Sequence, residues 1–240
     1  FDVTYQTAGG NLDFVWATSW GVSTRLIGAL IMAHSDDNGL VLPPRLAPTE
    51  TVIVPIFKNK NKTEILSHAQ ELYNRLKTKH RSKIDLDEQN SPGWKFSEWE
   101  MRGVPVRIEL GPRDMESHSV TLVRRDTGEK TSVPVTKLEV EVDRLLTEIQ
   151  ESMYQKALSF RNENTRTIEN YEEFIDFFEN NGGFAVSPWS GDPEVEAEIK
   201  DDTKATIRVL PEGNEEEAKG KKCIKSGKDA KYMAIFAKAY

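Results

Sequence analysis

Two clusters of residues in this 240-residue chain have the types and spacing to do chemistry. The first is Gly21-Val22-Ser23-Thr24-Arg25, a small-residue turn with two hydroxyls and one guanidinium that leads into the apolar run Leu26 to Met32. Arg25 is the only charge between Asp13 and Asp36. An isolated Arg heading an apolar helix is costly unless an anion or a carboxylate meets it, and a planar guanidinium suits phosphate well. A core helix whose Arg caps a neighbour accounts for the same spacing. Trp20 and Gly21 stand just before it; an indole can wall a small apolar pocket, and a glycine lets backbone approach a ligand. Trp20 alone equally fits a structural role in a sheet. The second cluster lies in Trp99 to Asp114, W-E-M-R-G-V-P-V-R-I-E-L-G-P-R-D. Glu100 and Arg107 sit seven apart across a helix-to-strand turn, and Arg113 follows in the G-P-R-D loop. One carboxylate can accept from a guanine edge, and two guanidiniums can clamp O6/N7 or phosphate. A surface salt-bridge cluster is the alternative. His34, His68, His80 and His118 have no metal-ligand spacing and are read as structural. No nucleophile-elbow, phosphate-loop or H-E-x-x-H motif occurs.

These groups need elements to hold them. Phe1 to Tyr5 alternates, Gly9-Gly10-Asn11 turns, and Leu12 to Trp16 runs back, which predicts an antiparallel hairpin. A helix over roughly 22–36 follows, and one hairpin and one helix cannot bury two apolar faces alone. Gly39 to Pro48 reads as a linker, with Pro43, Pro44 and Pro48 favouring extended chain. Thr51 to Phe57 is a continuous apolar strand of the buried, parallel kind. A helix over 62–80, a short strand at Ile84 and a helix capped by Ser91 and running through Met101 come next. Strands at 104–110, 118–125 and 131–135 precede a helix that begins at Thr136 and runs to Asn164. The order βαβαββα predicts a mixed α/β sheet. The last part reads as a helix to Asn180 with Phe174, Phe177 and Phe178 on one side, a strand at 184–189, a short acidic helix, a strand at 205–210, a mobile polar loop at 211–222 and a strand at 232–239.

Composition narrows the class. Apolar residues make up 38% and charged residues 30%, enough for modest cores. No apolar run approaches the ~20 residues of a membrane span, and the amino end does not read as a signal peptide. One cysteine, Cys223, excludes an internal disulfide and fits a reducing, cytoplasmic compartment. The net charge of −7 argues weakly against nucleic acid. Residues 50–150 balance at 17 basic and 17 acidic side chains, so a nucleic-acid face there must be a local patch.

The stretch G-V-S-T-R-x-x-G-A-x-I resembles motif 3 of class II aminoacyl-tRNA synthetases, in the form used by prolyl-tRNA synthetases. D-N-G-L-V-L-P-P-R-L-A-P followed by V-I-V-P-I is similar to that family's exit from its catalytic domain, and Trp99 to Asp114 resembles its anticodon signature. The resemblance covers essentially the whole chain and points to the carboxyl half of an archaeal/eukaryotic-type member. It implies three domains: 1–48, the end of an antiparallel catalytic sheet with motif 3; 49–150, a mixed-sheet α/β anticodon-binding domain; and 151–240, a small α+β carboxyl-terminal domain.

The resemblance further implies that Ser23 and Arg25 meet ATP, that Trp20 and Gly21 border the proline pocket, that Glu100, Arg107 and Arg113 read the anticodon of proline tRNA, and that the Tyr240 carboxylate points toward the catalytic domain. ATP with Mg²⁺, L-proline and tRNA would be the parent's partners, without a membrane and in a homodimer. Motifs 1 and 2 do not occur in the 240 residues, so this stretch alone is not expected to activate proline, and no catalytic residue is assigned. A non-catalytic anticodon-binding module or paralogue is the alternative. Many relatives bind zinc in the last domain through C-x4-C and C-x-C. Those positions here are Ser190, Val195, Cys223 and Lys225, so zinc is not expected.

Overall fold

The chain is described from a computed structural model, which covers residues 2–180 and 182–238. It divides into two compact units, Phe1–Glu151 and Ser152–Tyr240.

The first unit opens with the antiparallel pair β1 (Thr4–Gln6) and β2 (Leu12–Phe14) and helix α1 (Arg25–His34). No residue of α1 is buried. Leu26, Ile27 and Met32 face solvent, and Trp20 is 93% exposed. Apolar exposure on this scale is uncommon for a surface left in water.

The body of the unit is a five-stranded sheet, β3 (Thr51–Pro55), β4 (Ser82–Ile84), β5 (Val106–Leu110), β6 (Ser119–Arg124) and β7 (Lys130–Pro134), in the order β4-β3-β5-β6-β7. β3 is parallel to both β4 and β5, and β5-β6-β7 are antiparallel. β3 is buried at every position, as an unbroken T-V-I-V-P run must be in a parallel centre. The connections are α2 (Lys62–Leu76) between β3 and β4, and α3 (Pro92–Met101) between β4 and β5. The first crossover steps from β3 out to β4, and the second steps back from β4 across β3 to β5, in the opposite direction. Right-handed connections therefore put α2 and α3 on opposite faces of the sheet. Ser91 caps α3 by accepting from the Trp94 amide at 3.3 Å, with Pro92 at the first helical position. Residues 40–48, expected as a linker, are packed: Val41, Pro43, Pro44 and Ala47 are buried. Arg81 holds them by donating to the Ala47 and Pro44 carbonyls at 2.9 and 2.7 Å.

Helix α4 (Pro112–Glu116) follows β5, and α5 (Leu138–Glu163) is one continuous helix. The second unit holds β8 (Thr165–Thr167), α6 (Tyr171–Asn180), β9 (Phe184–Trp189), α7 (Pro193–Thr203), β10 (Ala205–Val209), α8 (Asn214–Ala218) and β11 (Tyr232–Lys238), with sheet order β10-β11-β9-β8. Phe174 is its centre, with rings of Phe178 and Phe236 edge-on at 4.9 and 5.3 Å. The polar stretch 211–222 contains α8, with Asn214 and Ala218 buried, where sequence alone suggested a mobile loop. No helix among the described residues is long and apolar enough to cross a membrane.

Candidate functional site

In a strand, side chains alternate between faces. Along β5 this sends Val106, Ile108 and Leu110 one way and Arg107 and Glu109 the other, toward α3. Both charged residues are buried, at 6% and 8% exposure. They persist there because each is paired. Arg107 donates to Glu109 Oε1 from Nε and Nη2 at 3.1 and 3.0 Å. From Nη1 it donates to Glu100 Oε1 at 2.8 Å and to the Phe96 carbonyl at 3.4 Å. Its guanidinium lies 4.3 Å from the Phe96 ring centroid. Lys130 adds a second cation to Glu109, 3.2 Å from Oε1.

Glu100 sits in the last turn of α3 and is part-exposed. Its Oε1 is held by Arg107, while Oε2 has no hydrogen bond among the described residues. Glu100, Arg107 and Trp99 line a cavity of about 220 Å³ at the amino end of β5. Arg124, Arg125, the turn Asp126–Gly128 and the segment holding Asp36 and Asn38 also line it. Arg107 has four of its five N–H donors engaged, so it can offer a ligand little. The Glu100 carboxylate is the group positioned to accept.

Arg113 is not part of this cavity. It lies on α4, past the carboxyl end of β5, while Arg107 is near the start of that strand. Its exposed side chain makes no ion pair among the described residues. The neighbouring Pro112 lines a separate cavity of about 460 Å³ with Lys58 and Lys60, outside the carboxyl ends of β3 and β5. That is the switch point of the sheet, where open α/β folds offer a crevice. Trp20, Gly21, Ser23 and Arg25 lie on the exposed stretch leading into α1, and none of them lines either cavity. Tyr240 falls outside the described residues.

The positions aligned with a zinc cage hold other chemistry. Val195 is buried in the apolar cluster around Phe174. Lys225 Nζ donates to Asp202 at 2.6 Å and lies 4.5 Å from the Tyr171 ring centroid. Ser190 is buried, with its hydroxyl within reach of the Cys223 thiol. Cys223 is buried too. Burial pushes its thiol up, but hydrogen bonds from the Ser226 hydroxyl and the Ser226 and Lys225 amides outweigh that and hold it below the ordinary value. One thiol, one hydroxyl, one isopropyl group and a committed ammonium do not make a zinc donor set. Burial and the Asp202 hydrogen bond raise the Tyr171 hydroxyl to about 12, so it stays a donor to that carboxylate.

Sequence reasoning passed over Glu109, Arg125 and Asp36, among others. Glu109 was detectable, because two charges two apart inside a buried strand must share a face and a partner. Arg125 and Asp36 gave no signal. They lie 89 positions apart and meet only in the fold, at 2.8 and 2.6 Å.

A family model described as "Anticodon binding domain" matches residues 50–151, and one described as "Prolyl-tRNA synthetase, C-terminal" matches residues 171–240. Among curated relatives, a "Proline--tRNA ligase" of Chlorobium limicola is 51% identical over 248 residues, covering 100% of this chain and 51% of that protein. One from Rubrobacter xylanophilus is 50% identical over 100% of this chain and 50% of its own length. One from Porphyromonas gingivalis is 49% identical, with 100% and 48% covered. The chain thus spans about half the length of the curated relatives it matches.

Proposed function

Because the chain belongs to the prolyl-tRNA synthetase family, as the carboxyl-terminal part of its members, we propose that it is the tRNA-reading half of a proline–tRNA ligase. The observation that carries this is the Glu100 carboxylate, fixed by a buried, paired Arg107 at the mouth of a base-sized cavity. A guanine released from stacking offers N1–H and N2–H as adjacent donors on its Watson–Crick edge, and a carboxylate with a free oxygen complements them. Proline anticodons end in two guanines. Arg113, together with Lys58 and Lys60 at the other end of β5, serves the anticodon-loop phosphates, for which an uncommitted guanidinium is apt.

The remaining roles rest on family membership and on the exposed apolar surface before residue 36. That surface is where the rest of a full-length ligase packs. There Ser23 and Arg25 meet ATP phosphates, Trp20 and Gly21 border the proline site, and the Tyr240 carboxylate faces the catalytic domain. The whole enzyme joins proline to ATP and passes the prolyl group to tRNA, as a cytoplasmic homodimer. Mg²⁺ accompanies ATP and supplies charge neutralisation at its phosphates; no ligand for it is assigned among these residues. Structural zinc is not expected at Ser190, Val195, Cys223 and Lys225.

Glu100→Ala tests the base-reading role. A base-reading carboxylate predicts weaker binding of proline tRNA, with about 1–3 kcal/mol of discrimination lost against an anticodon mutant. A merely electrostatic surface predicts tighter binding of both RNAs once the negative charge is gone. Affinities for both RNAs at two salt concentrations separate the two, and equal or tighter binding of both refutes the reading.

A further inference from the structure

We propose that the cavity is a composite site, walled on one side by the segment Asp36–Asn38, and that Asn38 reads the bound base together with Glu100. The proposal rests on the base-reading role of Glu100 given above. The anticodon-domain match begins only at residue 50, so this wall lies outside the recognised domain.

Base reading in this cavity depends on which donors it has left. A carboxylate only accepts, so Glu100 is blind to the O6 and N7 acceptors of guanine. Three arginines line the cavity, and each is held by a carboxylate of the protein. Arg107 is spent on Glu100, Glu109 and the Phe96 carbonyl. Arg124 donates to both oxygens of Asp126, at 3.0 and 2.8 Å. Arg125 donates to both oxygens of Asp36, at 2.8 and 2.6 Å, and from Nε to the Glu100 carbonyl at 3.0 Å. The Asn38 amide also lines the cavity, is exposed, and has no side-chain partner among the described residues. It brings two N–H donors and one acceptor. Among the described residues no protein group takes up its side-chain donors; the Thr127 hydroxyl, which accepts from the Glu129 amide, is a second such donor on the cavity wall, but with a single hydrogen.

Asn38 is also held in place. The Asp36 carboxylate accepts from the backbone N–H of Asn38 at 2.9 Å, so the ion pair with Arg125 fixes this turn directly. Gly39 then presses on the end of α3: a Cβ there would lie 2.4 Å from Met101 Cα, and the Leu40 amide donates to the Met101 carbonyl at 3.0 Å. Through Arg125, one latch orients both the turn bearing Asn38 and the helix end bearing Glu100.

The test titrates the 240-residue chain by fluorescence anisotropy with a synthetic RNA stem-loop carrying the proline anticodon, and with a copy whose two guanines are replaced by adenines. Asn38→Ala, in an exposed turn, is expected to melt like the parent chain, bind the guanine loop about tenfold more weakly and bind the adenine loop unchanged. Asp36→Ala is expected to lose the same preference. If Asn38→Ala and Asp36→Ala keep parental affinity and preference while Glu100→Ala loses preference, the composite site is overturned and the reading of Glu100 stands. If Glu100→Ala also keeps its preference, both are overturned.

Discussion

Arg107→Ala is expected to act first on stability and only through stability on RNA. The side chain is 7% exposed and that of its main partner, Glu109, is 11% exposed. Truncation leaves Glu109 buried with only Lys130, whose own side chain is 54% exposed, at 3.2 Å. Breaking one side of a buried pair typically costs about 3–5 kcal/mol, because a charge is left without compensation. The stacking on Phe96 goes as well, while Lys130 offsets part of the loss. The lower end, about 3 kcal/mol, is the expected penalty. For a unit of this size that corresponds to a melting temperature lower by roughly 6–12 °C. Arg107→Leu combined with Glu109→Leu removes both charges and is expected to recover to within about 1 kcal/mol of the parent, since apolar replacement of a whole buried pair is often neutral. Calorimetry gives the melting shift, and hydrogen exchange on peptides covering α3 and β5 localises it. An Arg107→Ala chain that melts with the parent, or a double variant as unstable as the single one, refutes the argument that this pair is buried and mutually dependent. For the same reason Arg107→Ala is a poor probe of base reading, and Glu100→Ala is the sharper one.

Three further outcomes follow. The side-chain hydrogen bond from Arg125 holds Asp36 down to about 2, so the latch adds stability that is fully present above the ordinary carboxylate value and fades as pH falls through 2; carbon-detected NMR titration should show that low value, and Arg125→Ala should return it to the ordinary range. Metal analysis after dialysis should find no zinc in the chain, and a chelator should leave its melting unchanged; one retained equivalent per chain contradicts the donor-set argument. In a full-length ligase carrying this half, Arg25→Ala should lower proline-dependent ATP–pyrophosphate exchange by ~10²-fold through loss of a charge-assisted phosphate contact, and parental kinetics would remove Arg25 from that role.

Local patterning settled much of the architecture in advance. The unbroken T-V-I-V-P run required a buried parallel strand, Ser91-Pro92 announced the start of α3, and Phe174, Phe177 and Phe178 marked the inner side of α6. Glu100 and Arg107 could be paired from sequence because a helix end and the next strand start are close in the chain as well as in space. β8 could not be found that way: T-R-T is too short to carry a period, and it is a strand only because β9 lies beside it. α8 was hidden by its charge, since only the burial of Asn214 and Ala218 distinguishes it from a solvated loop. Spacing in sequence suggested one cluster for Arg107 and Arg113, but a strand carries its two ends far apart, and the fold sends them to opposite ends of β5. The ion pair of Asp36 with Arg125, and with it the placement of Asn38 on the same cavity as Glu100, depends on a sheet bringing together residues 89 positions apart. Contacts of that separation have no period, cap or turn to announce them, and only tertiary packing decides them.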